Sequence, residues 1–476
     1  MNIRIVIYFL GWLLNFEGAF LLLPCLVGLI YREEDALYFA LSSLICLVLG
    51  FVITRFRPKN KSLYAREGFV IVALSWFLLS LFGALPFVMS GAIPSFVDAV
   101  FETASGFTTT GATILADVGV MSKAVNFWRT FTHWIGGMGV LVFMMAVVPL
   151  ADGYLMKAES PGPTVGKLVP RIKSTAKILY GMYIALSVVE FIFLLAGKMS
   201  VYDAMTTTFG TAGTGGFGIY SDSIAGFSSY IQIVVTIFMI AFGVNFTFYY
   251  LVVIGRRWKD ALRMAEVRAY ILIILVAAAA ISFNIHHMYG SIFEAIKHSA
   301  FQVASIITTT GFSTVDFNQW PEFSKTILLM LMFVGACAGS TGGGMKVSRL
   351  IIWLKTFCKE LKVMVHPRNI YKVSVDGRKV EHEVIRSVNV FLVAYILTYA
   401  VSVLLVSMDG FDFTTNFSGV SATINNVGPG FNAVGPMENF SIFSPFSKCV
   451  LIFDMIAGRL ELFPILLLFS KATWKK

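Results

Sequence analysis

The chain has 476 residues, of which 57% are apolar and only 13% are charged, and its net charge is +10. A soluble globular protein carries about 25% charged residues, so this composition excludes an ordinary soluble domain. Several apolar runs reach about 20 residues, the length that a helix needs to cross a hydrocarbon core. The sequence therefore predicts an all-α polytopic membrane protein.

The positive charge is unevenly distributed along the chain. Lysine and arginine gather at 55–66, 157–177, 256–268, 346–386 and 471–476, whereas the loops between these stretches hold few bases and several acids. That alternation follows the positive-inside rule. It predicts a multi-pass protein in the lipid bilayer with both termini and every basic stretch in the cytoplasm. It also accounts for the net charge without a nucleic-acid partner.

Ten apolar segments, taken in chain order, predict about ten spanning helices. They fall at roughly 3–31, 35–54, 67–90, 124–150, 176–197, 226–254, 269–288, 324–356, 382–407 and 444–470. The first two are joined by a short acidic turn, and the other eight form four pairs. We therefore expect five units along the chain. These are two N-terminal transmembrane helices (1–66) and four repeats (67–150, 151–255, 256–365 and 366–476).

The four intervals inside the pairs share one pattern. Each begins with an acid, continues with a short semi-apolar helix, and ends in a stretch of Thr, Asn and Gly. In the first two intervals the acid precedes the shared glycine by the same thirteen positions, Asp98 to Gly111 and Asp203 to Gly216. An internal repeat of this kind indicates a repeated architecture.

The polar stretches have two interpretations. Thr, Gly, Asn and Ser are ordinary loop formers, so one such stretch alone would indicate an extracellular turn. Four stretches at corresponding points favour re-entrant pore loops, since non-helical backbone at membrane depth is tolerated where it lines an aqueous cavity. Rings of backbone carbonyls can replace the hydration shell of a cation, and the carbonyl end of each short helix would favour positive charge. No Asp or Glu lies in the four strands, which favours a monovalent cation.

Seven motifs carry a resemblance to a known family. They are "TTTGAT" (108–113), "GTGGFG" (213–218), "TTTGFST" (308–314), "NNVGPGF" (425–431), "WRTFTHWIGGMGV" (128–140), "GACAGSTGGGMKVSR" (335–349) and "GRLELF" (458–463). With them the chain resembles the bacterial Trk/Ktr potassium-uptake proteins, which are related to fungal Trk and plant HKT transporters. Its two additional N-terminal helices are similar to the TrkH branch rather than to the shorter KtrB branch. The resemblance implies four fused helix–pore loop–helix repeats, arranged like a potassium-channel tetramer, in the bacterial inner membrane.

The resemblance also implies a potassium selectivity filter. Its residues would be Thr109, Thr110, Gly111, Thr214, Gly215, Gly216, Thr309, Thr310, Gly311, Asn426, Val427 and Gly428. Potassium would be the transported ion, with no covalently bound cofactor. No strand reads Thr-Val-Gly-Tyr-Gly and only one glycine per strand is shared. This departure from a simple potassium channel predicts weaker selectivity, with some passage of sodium, rubidium or caesium.

Residues 335–346 hold five glycines among twelve residues. Each glycine costs about 1 kcal/mol relative to alanine inside a helix, so we expect a break in the second helix of the third repeat. The alternative is a small-residue face for helix packing. The resemblance implies an intramembrane gating loop instead. Its residues would be Gly339, Ser340, Thr341, Gly342, Gly343, Gly344 and Lys346.

Arg459 lies inside the last apolar segment. A charge within the membrane is costly and usually faces an ion path, and the resemblance implies that this arginine acts in gating. The alternative is a snorkelling arginine paired with Asp454 or Glu461. Arg129 and His133 lie one turn apart on another membrane helix. We interpret both as structural, paired with Glu102 or with a carbonyl.

No metalloprotease, nucleophile-elbow, dinucleotide or Walker motif occurs, so we predict no catalytic residues and no enzyme activity. The basic stretch 355–386 is too long for a turn and predicts a docking surface for a cytoplasmic regulator. The resemblance implies a nucleotide-binding ring of the TrkA type as that regulator, and a homodimer. Three alternatives stay open: a sodium-dependent or sodium-conducting Ktr/HKT-like transporter, a proton-coupled carrier, and a polytopic membrane enzyme.

Overall fold

The computed structural model describes residues 1–58, 63–139 and 172–474. Within these ranges the chain is almost entirely helical, and the sheet found there is a two-stranded antiparallel hairpin, β1 (Ser374–Val375) and β2 (Arg378–Lys379). The predicted all-α class is therefore confirmed. Most of the basic stretch 157–177 and the second part of the predicted segment 124–150 lie outside the described residues.

The first two helices, α1 (Ile3–Tyr31) and α2 (Asp35–Arg55), form a hairpin. They approach closely at small residues, as membrane helices commonly do. Ser43 Oγ of α2 donates a hydrogen bond to the Gly18 carbonyl of α1 at 2.6 Å. A Cβ at Gly18 would lie 2.8 Å from the Leu47 side chain. The hairpin packs against the first repeat through both of its helices, most extensively through α1.

Each of the four repeats contains an outer helix, a short pore helix, a polar strand and an inner helix. The first comprises α3 (Ala65–Gly83), α4 (Leu85–Ser90), the pore helix α5 (Phe96–Phe107) and the inner helix α6 (Lys123–Gly137). The second comprises α7 (Ile172–Ala196), the pore helix α8 (Val201–Ala212), α9 (Ser229–Phe242), α10 (Phe246–Tyr249) and a π-helical turn (Tyr250–Ile254).

The third repeat comprises α11 (Trp258–Arg263), α12 (Ala265–Ile285), the pore helix α13 (Ile292–Ile307), α14 (Glu322–Val334) and α15 (Val347–Val365). The fourth comprises α16 (His382–Val406), the pore helix α17 (Phe413–Ile424), α18 (Pro445–Arg459), α19 (Phe463–Leu468) and α20 (Lys471–Trp474). The four predicted repeats and the two additional N-terminal helices are thus confirmed. The boundaries assigned to the five units stay predictions.

The inner helices differ most from the sequence prediction. Among the described residues, six helices are long and apolar enough to cross a membrane, and the bent pair α9–α10 makes a seventh. The axis of α9 makes an angle of 92° with that of the following segment, Phe246–Ile254, which comprises α10 and the π-helical turn. Residues 335–346 separate α14 from α15, and residues 460–462 separate α18 from α19. The break in the third repeat is confirmed. The prediction of unbroken helices at 226–254 and 444–470 is wrong, because Gly243 and Pro464 lie where those helices are interrupted.

All four pore helices begin at a side-chain cap, and each predicted acid lies at that cap or within the first turn. Ser95 accepts from the Asp98 N–H at 3.4 Å, Ser200 from the Asp203 N–H at 3.1 Å, Ser291 from the Glu294 N–H at 3.2 Å, and Asp412 from the Thr415 N–H at 3.0 Å. Such caps satisfy free N–H groups, and acids complement the positive end of a helix. The opposite, carbonyl ends of the four helices are buried beside the polar strands.

Candidate ion-conduction site

The four pore helices end in the same backbone conformation. The residues two before the shared glycines, Thr109, Thr214, Thr309 and Asn426, have φ values of 54°, 53°, 59° and 56°. The residue after each of these donates its N–H to the carbonyl five positions earlier, at 2.8, 2.9, 2.8 and 2.8 Å in chain order. This is the Schellman type of helix end. Since threonine avoids positive φ, its use at three of these positions indicates that the surrounding structure enforces the conformation.

The four shared glycines also have positive φ, 81° at Gly111, 78° at Gly216, 84° at Gly311 and 99° at Gly428. Each lies against the residue that precedes the next glycine. A Cβ on Gly111 would collide with the Gly215 carbonyl, one on Gly216 with the Thr310 carbonyl, and one on Gly311 with the Val427 carbonyl. A Cβ on Gly428 would lie 2.7 Å from the Thr110 carbonyl oxygen. The four strands therefore close into one ring in chain order.

Several threonine side chains of the ring bond to neighbouring protein groups, whereas Thr109 Oγ1 has no hydrogen-bond partner among the described residues. Thr108 Oγ1 donates to the Ala104 carbonyl at 2.6 Å and lies 2.8 Å from Thr110 Oγ1. The third repeat reproduces both contacts through Thr308, at 2.7 Å each. In the fourth repeat, Asn426 Nδ2 donates to Thr110 Oγ1 at 2.9 Å. These bonds fix the strands and leave backbone carbonyls as the polar groups shared by all four quarters.

A cavity of about 110 Å³ lies on the outer side of the ring. Gly111, Gly216, Gly311 and Gly428 all line it, so the structure brings the four sequence-predicted glycines together at one place. Arg129 also lines the cavity. The cavity is the outer mouth of the ring.

Asp117 lies beside this mouth, between the lining residues Ala116 and Val118. The Ser221 hydroxyl donates to its carboxylate at 2.7 Å, and the Gly119 N–H donates at 2.8 Å. These two hydrogen bonds lower the pKa of the Asp117 carboxyl below its usual value. The group is therefore an anion at neutral pH, and its field attracts cations to the mouth.

Arg129 and His133 of α6 take the structural positions predicted for them. Arg129 Nε donates to Glu102 Oε1 at 2.8 Å. His133 Nδ1 lies 2.7 Å from the Gly106 carbonyl, and its Nε2 accepts from the Phe217 N–H at 3.1 Å. Because a carbonyl can only accept, the proton is on Nδ1 and the imidazole is neutral. His133 thereby ties the first pore helix to the second strand.

The glycine-rich segment 335–346 lies directly beneath the ring. The Gly343 N–H donates to Thr309 Oγ1 at 2.6 Å, and the Gly344 N–H donates to the Asn425 carbonyl at 3.1 Å. A Cβ on Gly342 would lie 2.9 Å from the Thr308 carbonyl oxygen. We call residues 335–346 the central loop. Its glycines therefore allow a direct approach to two of the four strands.

The central loop is also bound to the second repeat. The Cys337 N–H donates to the Gly243 carbonyl at 3.1 Å, and the Phe246 N–H donates to the Gly339 carbonyl at 2.9 Å. Within the third repeat itself, Glu266 of α12 accepts from the Ala338 N–H at 2.6 Å. The break between α9 and α10 frees the backbone groups that receive the loop. The break between α9 and α10 therefore supplies hydrogen-bond partners to the central loop, which is the break between α14 and α15.

Arg459, at the end of α18, joins the central loop to the first repeat. Its guanidinium donates to the Thr341 carbonyl at 2.9 Å, to the Gly136 carbonyl at 2.5 Å and to the Gly137 carbonyl at 2.9 Å. The sequence pointed to Asp454 or Glu461 as alternative partners. In the structure Glu461 pairs with Arg349, and Ser402 donates to Asp454.

Lys346 ends the central loop and is 9% exposed. Its ammonium group donates to the Gly342 carbonyl, four residues earlier. The sequence reasoning missed Arg349, one turn further along, which lies 4.1 Å from the Phe391 ring centroid and pairs with Glu461. The sequence offered Glu461 of "GRLELF" to Arg459, its near neighbour in the chain, and gave no signal that it would pair with Arg349. Three cationic side chains thus lie beneath the ring.

Known proteins are similar to this chain along its whole length. The family model named TrkH, a cation transport protein, matches residues 38–476. The Trk system potassium uptake protein TrkH of Escherichia coli K12 is 36% identical over 485 residues, and its counterpart in Vibrio parahaemolyticus is 37% identical over 491 residues. Both alignments cover 100% of both chains. The crystal structure of the potassium transporter TrkH from Vibrio parahaemolyticus superposes with a TM-score of 0.91 at 34% identity and full coverage of both chains. The chain therefore belongs to the TrkH family of membrane cation transport proteins.

Proposed function

We propose that the chain takes up potassium ions across the bacterial inner membrane through one central pore, with both termini in the cytoplasm. The observation that carries this proposal is the closed ring of four strands with matching positive φ values. Relatives that match along their whole length are named potassium uptake proteins. A ring of carbonyls without carboxylates suits a weakly hydrated monovalent cation.

In this proposal the residues 109–111, 214–216, 309–311 and 426–428 are the selectivity filter. The carbonyls just before the glycines, at Thr110, Gly215, Thr310 and Val427, would replace the water around the ion. The four buried carbonyl ends of the pore helices add partial negative charge behind the filter. A membrane potential supplies about 2.3 kcal/mol per charge per 100 mV, so uptake needs no hydrolysis by this chain.

The central loop is the gate in this proposal, with Gly339–Gly344 as its obstructing part and Lys346 and Arg459 as its charged neighbours. Arg459 contacts the loop and the first repeat at once. Opening would require that it release the Thr341 carbonyl. A positive charge beneath a cation filter also raises the electrostatic barrier to permeation.

The regulator would act on this gate through α15. That helix begins at Val347, directly after the central loop, and its 19 residues extend for about 28 Å. Lys355 donates to the Ser374 carbonyl at 2.7 Å, which fastens the β1–β2 hairpin to α15. We propose that the basic stretch 355–386 docks a TrkA-like nucleotide-binding subunit and that the membrane subunit is a homodimer. Movement at the docking end would then pull on the loop.

The test is potassium-limited growth of an uptake-deficient bacterium that expresses the chain, together with rubidium tracer uptake. We expect the wild type to restore growth and Gly311→Asp to abolish it, because a side chain there would meet the Val427 carbonyl. Gly290→Asp is the matched control, since a Cβ at Gly290 meets no atom within 4 Å. Equal growth and rubidium uptake in Gly311→Asp and the wild type would refute the filter.

Sodium conduction is the second candidate function. It is favoured by the single glycine that the four strands share, in contrast to the longer repeated motif of a potassium channel. Adding sodium in excess to the same rubidium uptake assay separates the two candidates. Strong inhibition by sodium would favour a sodium-conducting transporter.

A further inference from the structure

One buried ion pair behind the ring belongs to the first repeat alone. The side chains of Arg129 and Glu102 are 1% and 0% exposed, and Arg129 Nε lies 2.8 Å from Glu102 Oε1. Glu102 lies on the pore helix, nine positions before Gly111. The corresponding positions of the other repeats hold Thr207, Gln302 and Gly419. The ring is built from four similar repeats, but this charged pair beside it is present in the first repeat and not at the corresponding positions of the others.

Glu102 holds the strand of the first repeat just above the ring. It accepts from the Thr113 hydroxyl at 2.9 Å and from the Ile114 N–H at 3.0 Å. Thr113 follows Gly111 by two positions. Hydrogen bonds to a carboxylate are about twice as strong as neutral ones, and the Glu102 side chain that accepts these is fully buried. Glu102 therefore fixes where the first strand leaves the ring.

Arg129 extends this bracing to the second repeat. It donates to the Gly218 carbonyl at 3.2 Å, and its guanidinium carbon lies 4.4 Å from the Phe217 ring centroid. Gly218 follows Gly216 by two positions, as Thr113 follows Gly111. Arg129, Thr113 and Gly218 all line the outer mouth. The ion pair thus links the first repeat to the second at equivalent positions, two residues after the ring glycine of each strand.

At the other three junctions, the hydrogen bonds that the described residues form between neighbouring strands and loops join neutral groups. The Ile224 N–H donates to the Ser313 carbonyl at 3.0 Å, the Asn432 N–H to Asn318 Oδ1 at 3.1 Å, and the Phe440 N–H to the Thr113 carbonyl at 2.8 Å. Gln302, which occupies the Glu102 position in the third repeat, makes no side-chain hydrogen bond among the described residues. A second ion pair, Lys448 with Asp98 at 2.6 Å, joins the fourth and first repeats, but it lies at the starts of their helices rather than at the strands. The Arg129–Glu102 pair is distinguished by its contacts with two strands of the ring.

We propose that Glu102 and Arg129 are positioning residues that set the potassium-to-sodium selectivity of the ring. The inference deepens the proposed function and rests on it. A sodium ion is smaller than a potassium ion, so carbonyls can coordinate it well only if the ring contracts or distorts. The pair resists that change, because displacing either strand would stretch charge-assisted hydrogen bonds to two side chains that are almost fully buried.

The test compares variants in proteoliposomes by measuring rubidium uptake and its inhibition by sodium. Glu102→Gln keeps the size of the side chain but removes its charge. We expect the ratio of sodium to potassium permeability to rise at least about threefold, which is less than the loss of one charged hydrogen bond would allow. Thr113→Val leaves the ion pair intact and removes one strand contact, so the ratio should rise less. Glu67→Gln is the control, because Glu67 is also buried and accepts from the Asn2 N–H at 3.1 Å, far along the chain from any strand of the ring.

The outcomes are distinguishable. An unchanged ratio in folded Glu102→Gln and Thr113→Val would overturn the inference, even if the wild type conducts potassium. If Glu102→Gln fails to fold, the ratio in Thr113→Val decides alone. A wild-type protein that conducts no potassium would instead overturn the proposed function. A ratio that rises equally in Glu67→Gln would show a general loss of packing and would also overturn the inference.

Discussion

The outer and inner halves of the pore repeats differ in regularity. In the outer half, four pore helices start at caps of one kind, end in one motif and present glycines with φ values between 78° and 99°. In the inner half, α9 and the following segment Phe246–Ile254 meet at 92°, α14 and α15 are separated by the central loop, and α18 and α19 by residues 460–462. Within the described ranges, the four repeats are therefore nearly equivalent in the outer half, whereas the second, third and fourth diverge in the inner half.

The difference follows from what each half contacts. An ion on the axis of the ring touches all four quarters, so a deviation in one quarter spoils the coordination that the others provide. Beneath the ring only one segment can occupy the centre, and the third repeat supplies it. The other inner helices then have to make different contacts with that segment. The inner half is asymmetric because its central object is a single loop.

The largest expected effect comes from breaking the regular half. Gly111→Ala, Gly216→Ala and Gly311→Ala should each abolish selective rubidium uptake, because a Cβ would displace a ring carbonyl and positive φ costs alanine about 1–2 kcal/mol. Gly428→Ala should retain some uptake, since its Cβ position lies 2.7 Å from the nearest carbonyl oxygen. Gly181→Ala is the control, with no atom within 4 Å. Full uptake in any of the first three variants would contradict a closed ring.

A smaller effect is expected from the asymmetric half. Arg459→Ala should raise the resting potassium flux of proteoliposomes without a regulator. Each hydrogen bond from this charged group contributes about 1.5 kcal/mol or more, so losing one would raise the open population about tenfold. Arg459→Lys keeps the charge but cannot reach three carbonyls together, and its flux should be intermediate. Flux at or below the wild-type level in Arg459→Ala would reject a gating role.

The smallest effect is expected at the cap of the fourth pore helix. Asp412→Ala should lower the stability by about 1 kcal/mol with little change in selectivity, whereas Asp412→Asn should retain most of the stability because asparagine also caps helices. The hydroxyl of Thr415, with further hydrogen bonds, lowers the pKa of Asp412. A lowered folded pKa gives stability that is present above the usual value of about 3.9 and is lost as pH falls through the folded value.

Thermal unfolding in detergent between about pH 3 and about pH 8 tests this assignment. The difference in stability between the wild type and Asp412→Ala should be constant above about pH 5 and should shrink as the pH falls below the usual aspartate value of about 3.9. A difference that does not shrink below about pH 3.9 would show that the folded pKa is not lowered.

Much of this architecture could be predicted from the sequence. The four glycines were found because each follows the same arrangement of acid, short helix and polar stretch. The break at 335–346 was found from its five glycines. The interruptions near Gly243 and Pro464 were missed, since a single glycine or a proline near the end of an apolar run is compatible with a continuous membrane helix.

Partnerships beneath and behind the ring could not be predicted in the same way. Arg459 and Glu461 are two positions apart in sequence, yet Arg459 binds carbonyls of the first and third repeats while Glu461 pairs with Arg349. Asn426 contacts Thr110 across 316 positions. The spacing of residues within a helix indicates the helix face on which a side chain lies. It does not identify which residues of another repeat contact that face.

The sequence by itself determined the membrane class, the fourfold repeat and the positions of the ring glycines. Apolar composition, a repeated pattern and a backbone conformation that requires glycine can all be recognised within short segments. Only the tertiary structure decided that the strands close in chain order, that the central loop lies under them, and which cation joins which repeat. Those features depend on how four segments that are distant in sequence pack around one axis. There a carbonyl of one repeat lies against a glycine of another, where a side chain would not fit.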